Sequence, residues 1–135
     1  VYPGPVKGFT EEVYKIYPKA DKFGKAWAML TSPKGDRGVT ISWPVKQLPY
    51  LTQWKNTAAE TTGYVTGIEP GTGFPHNRSY ERKYGRVPKL APGKTRSFDL
   101  EFKVLGNKED VKTASEVIKK LQGTVGPEIQ KQPEE

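Results

Sequence analysis

The sequence has no cysteine, one methionine and one histidine in 135 residues. Without cysteine there can be no disulfide, no thiolate nucleophile and no zinc site built on sulfur. With a single histidine, no cluster of His and carboxylates shows metal-ligand spacing, so neither a metal nor a cofactor is expected. Long apolar runs are also missing, and none approaches the roughly 18 residues of a membrane span. No signal peptide is visible. No membrane partner is therefore expected, and the compartment is left open. Adjacent bases are missing too. The formal charge of +7 comes from 22 Lys and Arg against 15 Asp and Glu, but the lysines are scattered one per turn or loop. No nucleic-acid partner is expected from that pattern. The glycines of Gly71-Thr72-Gly73-Phe74 lack the Gly-Lys-Ser/Thr that would make a phosphate loop, and the Asn77-Arg78-Ser79 glycosylation sequon matters only in a secretory setting.

What is present suits a β protein. The hydrophobic set makes up 34% of the chain, and 14 Gly and 12 Pro interrupt it too often for a helical bundle. The extended entry VYPGPVKG leads to FTEEVYKIYP, with Val13, Tyr14, Ile16 and Tyr17 as strand formers. Residues 25–31 form a strand apolar on both faces. SPKGDRG turns it into residues 37–43, where Val39, Ile41 and Trp43 alternate with Thr40 and Ser42. LPYLTQW follows as another strand, and residues 56–62 connect it to one that ends at Glu69. Pro92 and Gly93 fit the centre of a type II turn. Last among the strands, Phe98, Leu100, Phe102 and Val104 point inward from residues 96–105.

The stretch around Glu69 carries the most chemistry. If residues 63–69 are extended, Val65, Gly67 and Glu69 share a face, so the carboxylate has a glycine beside it. A glycine inside a strand often marks close approach to the backbone. Pro70 is expected to end the strand. This describes either a fixed carboxylate on a sheet rim beside an open shelf, or a solvated strand-end glutamate.

The period then changes. Asn107 is a helix cap, and Val111, Ala114, Val117, Ile118 and Leu121 recur on one face of residues 108–122 before Gly123 stops the helix. The expected organisation is a β-sandwich portion over residues 1–106, an amphipathic helix packed on it over 107–123, and a flexible tail over 124–135. The chain begins at Val1 rather than Met, so residues upstream are expected to be missing.

Four segments in this order, FTEEVY, LPYLTQWKN, YVTGIEPGT and LAPGKTRSFDLEFKVL, resemble the galactose-mutarotase-like superfamily, in the aldose 1-epimerase-like branch with a GIEP strand motif. The resemblance covers residues 9–105 and corresponds to the C-terminal half of such proteins. It implies a mainly β fold, an antiparallel β-sandwich of which this is the C-terminal portion, to which the period of residues 108–122 adds one C-terminal α-helix. It also implies a sugar or sugar derivative as ligand, and the N-terminal half of the same protein as partner. In this superfamily a glutamate takes the anomeric proton while a histidine protonates the ring oxygen, so the ring opens and recloses on its other face. Glu69 matches the glutamate. Glu11 matches an acid that holds a sugar hydroxyl, or is an exposed strand glutamate. Trp54 either stacks on a pyranose or packs in the core. Lys55, Asn77 and Arg78 are candidates to hydrogen-bond hydroxyls or an anionic group. His76 does not match the acid histidine, which belongs to the missing half, and reads as a loop residue or a sugar contact. The isolated chain is then expected to be an inactive part of an epimerase. Two other readings are a non-catalytic carbohydrate-binding module on the same fold, and a docking domain that uses the helix.

Overall fold

Alternating apolar residues and frequent turn signals produce six strands in a computed structural model, which describes residues 2–131. They are β1 (Glu12–Ile16), β2 (Lys25–Thr31), β3 (Gly38–Pro44), β4 (Tyr50–Thr57), β5 (Tyr64–Gly71) and β6 (Glu101–Leu105). Two α-helices accompany them among the described residues, α1 (Arg78–Lys83) and α2 (Lys108–Gln122). The strands form two antiparallel sheets, one ordered β1-β4-β5 and the other β2-β3-β6. The expected mainly β, antiparallel sandwich with one long C-terminal helix is what the chain forms.

The sheets meet through their apolar inner faces. Ala26, Ile41 and Trp43 of the second sheet pack with Leu48 and Leu51, while Ile16, Ala28, Val45 and Ile68 lie against them. Trp43 is fully buried, and its indole N–H donates to the Leu48 carbonyl at 2.9 Å. This settles the polar end of the largest core side chain.

Helix α2 contacts β2 and β6. Asn107 caps it as expected, accepting from the Asp110 N–H at 2.9 Å. The helix lies over the outer face of the second sheet, where Trp27, Thr40 and Ser42 face Ala114 and Val117 across a hollow of about 280 Å³. Thr40 and Ser42 are therefore buried, although alternation alone would leave them in water.

Several boundaries differ from the sequence expectation. Pro70 does not end β5, which runs on to Gly71. Among the described residues β5 pairs only with β4, and a proline on an edge strand can turn its missing donor away from the ladder. β4 begins later than expected, at Tyr50, and runs on to Thr57. β6 starts at Glu101 instead of near Arg96. Its partner β3 ends at Pro44, which has no N–H, and the Gln47 side chain binds Asp99 instead, accepting from its N–H and donating to its carboxylate, both at 2.6 Å. The Pro92-Gly93 turn forms as expected, with Gly93 at φ 72° and the Lys94 N–H bonded to the Ala91 carbonyl. Residues 124–131 form neither helix nor strand, and residues 132–135 of the expected tail lie outside the described residues.

The inner face of β6 is uncovered. Register places Phe102 opposite Ile41 and Val104 opposite Val39, yet Phe102 is 68% and Val104 81% exposed. β6 is an edge strand of its sheet.

Candidate functional site

The outer face of the first sheet collects three of the six site residues singled out by sequence. Because cross-strand partners share a face, two rows can be read from the register. Lys15, Thr52 and Glu69 form one row, and Val13, Trp54 and Gly67 the next. Beyond these, the Trp54 indole N–H donates to Glu11 Oε2 at 2.7 Å. The structure thus brings Glu11, Trp54 and Glu69 together on one face. Trp54 is half-buried and lies outside the core cluster.

Glu69 is exposed, and its carboxylate lies back over Gly67. A Cβ placed on Gly67 would overlap Glu69 Oε1 and sit 3.1 Å from its Cδ. No described residue engages this carboxylate in a hydrogen bond or an ion pair. It stands over bare backbone with Thr52 opposite it on β4.

The other candidates go elsewhere. Lys55 points to the inner face, where its ammonium pairs with Glu12 Oε2 at 2.9 Å and lies 5.2 Å from the Phe9 ring centre. Bonds from the Tyr14 hydroxyl and Lys55 hold the Glu12 carboxyl below its usual range. Adjacent residues on a strand face opposite ways, so Lys55 cannot share the face of Trp54. Asn77 is the N-cap of α1, accepting from the Tyr80 N–H at 2.9 Å. Arg78 is the first residue of that helix and is exposed.

Sequence reasoning missed α1 and what it anchors. Asn77 followed by Glu81 in the first turn was the available signal. Glu81 and Arg86 form a two-pronged ion pair with both side chains 5% exposed. Arg86 Nε reaches Oε2 at 2.8 Å and Nη2 reaches Oε1 at 2.9 Å. Glu81 Oε2 also accepts from the Phe74 N–H. The Arg86 hydrogen bond is the main reason the Glu81 carboxyl titrates below its ordinary range. The guanidinium sits among the rings of Tyr50, Phe74, Tyr80 and Tyr84. This cluster fixes the segment that carries His76, whose ring lies tilted against that of Tyr80 with centroids 4.4 Å apart and whose Nε2 lies 3.0 Å from Lys15 Nζ. Lys15 was also missed, although it has the same strand parity as Glu11 and Val13.

Comparison with known proteins agrees with this fold. Residues 1–104 match the family described as a domain of unknown function, DUF4432. The chain is similar to a crystal structure of a putative aldose 1-epimerase from Klebsiella pneumoniae subsp. pneumoniae MGH 78578, with 40% sequence identity and a TM-score of 0.88. That match covers 98% of this chain and 35% of the Klebsiella chain, so the chain spans about a third of that protein's length rather than half. Comparison with curated proteins gave no match. The resemblance read from the four motifs is thus borne out by fold and identity together, and the chain belongs to the DUF4432 family, with an aldose 1-epimerase-like β-sandwich.

Proposed function

We propose that this chain is part of a sugar-binding β-sandwich that interconverts anomers of an aldose, with Glu69 as the general base. The observation that carries the reading is the shared outer face, with a carboxylate held over bare glycine backbone, an indole one row away, and a second carboxylate bonded to that indole. A pyranose laid on Trp54 would present its apolar face to the ring and its anomeric hydroxyl to Glu69. The unengaged carboxylate accepts the anomeric proton as the C1–O5 bond breaks and the ring oxygen takes a proton from the opposing acid. After rotation about the C1–C2 bond, O5 attacks the other face of the carbonyl and the two protons return. Glu11, held by the indole, accepts from a sugar hydroxyl and fixes the ring's orientation.

The opposing acid is assigned to polypeptide outside this chain. Supporting this, the Klebsiella chain is nearly three times as long as the matched region, and β6 presents uncovered apolar side chains. In the full-length protein, Glu69→Gln is expected to abolish mutarotation followed by polarimetry while calorimetry still detects the sugar. Undiminished mutarotation in that variant refutes the role. Sugar binding by a wild-type protein with no mutarotation would favour a carbohydrate-binding module on the same fold.

A further inference from the structure

Lys15 is half-buried, yet no carboxylate among the described residues pairs with it. Its described partner is His76 Nε2, at 3.0 Å. An ammonium can only donate, so Nε2 is the acceptor and the ring's proton sits on Nδ1. The contact leaves the Lys15 ammonium two further hydrogens to donate. Its positive charge is unneutralised. Such a group is matched by an oxyanion, which accepts several hydrogen bonds and supplies the missing charge.

The position is equally specific. Lys15 and Glu69 lie in one row on the same face, separated by Thr52, which puts their Cα atoms about 10 Å apart, two strand spacings. A pyranose whose anomeric hydroxyl meets Glu69 would bring a substituent on its far exocyclic carbon toward Lys15. The pair is also preorganised. The His76 ring lies tilted against that of Tyr80, the His76 backbone N–H is bonded to the Phe74 carbonyl, and the buried Glu81–Arg86 pair holds both ends of the segment. Little ordering is left to oppose binding.

We propose that Lys15 and His76 form a subsite for an anionic group on the sugar, a carboxylate or a phosphate, so that the ligand is an acidic or phosphorylated aldose. This rests on the reading of the face as a sugar site. The test is calorimetry on the full-length protein with glucose, galactose, glucuronate, glucose 6-phosphate and inorganic phosphate. One of the anionic sugars is expected to bind about tenfold or more tighter than the neutral ones. The carboxylate and phosphate arms identify which. Lys15→Met should remove that preference, and Lys15→Arg, which keeps the charge, should retain most of it. Equal affinity for neutral and anionic sugars overturns the subsite alone. So does a Lys15→Met variant, of unchanged melting temperature, that keeps the preference. Binding of no sugar of either class overturns the subsite together with the sugar-binding reading of the face. Inorganic phosphate binding as tightly as glucose 6-phosphate overturns the subsite as a sugar-recognition element.

Discussion

The carboxylate of Glu69 occupies the space that a side chain at Gly67 would fill, two residues earlier on the same face of β5. Gly67→Ala would therefore act on Glu69 rather than on the strand. The displaced group is the end of a flexible side chain, and Gly67 does not have the positive φ that would strain an alanine. Stability is expected to change by no more than about 1 kcal/mol. If Glu69 is the base, a shift of its oxygens by about 1 Å should lower the mutarotation rate by about a hundredfold. Polarimetry beside a thermal melt separates the two effects, and a full rate with the methyl group in place would count against the assigned base.

Lys55 provides the converse case. Its ammonium is committed to Glu12 on the inner face, beside the Phe9 ring. Lys55→Met is expected to lower the melting temperature while leaving sugar affinity as it was. A loss of affinity at unchanged stability would return Lys55 to the binding site.

The Glu81–Arg86 pair should set the acid limit of the loop that carries His76. Glu81 titrates below the ordinary carboxylate range because Arg86 stabilises its charged form. The folded value is the depressed one. The pair's contribution is therefore fully present above the unfolded pKa of about 4.3 and is lost as pH falls through the lower folded value. Removing one partner leaves the other buried and uncompensated, so Arg86→Met should cost about 3 kcal/mol at neutral pH. Glu81→Gln should flatten the acid side of the stability profile. Unfolding by denaturant across pH 3 to 7 reads both, and an acid limb unchanged by Glu81→Gln would show that another group controls it.

Thr57 is 1% exposed, and its hydroxyl has no hydrogen-bond partner among the described residues. A buried hydroxyl in that state costs about 1 to 3 kcal/mol. Thr57→Val replaces it with a methyl group of similar shape and is expected to stabilise the protein by about 1 kcal/mol, read as a higher melting temperature. A lower one would mean that the hydroxyl is satisfied in solution.

Local pattern decided much of this protein. The period-two alternation in β3, the Pro92-Gly93 turn, and the helix between Asn107 and Gly123 are each written in a few neighbouring residues. They follow because backbone sterics and side-chain direction act over one or two turns of chain. The same parity put Gly67 next to Glu69 before any fold was known. Where strands end was harder to read, since whether Pro70 breaks β5 depends on which edge its missing donor faces. Only the tertiary structure decided which candidates meet. Trp54 and Lys55 are neighbours in sequence on opposite sides of a sheet, while Lys15 and His76 are 61 residues apart and in contact. Strand pairing and loop anchoring bring such groups together through contacts between distant segments, and no local window of residues records them.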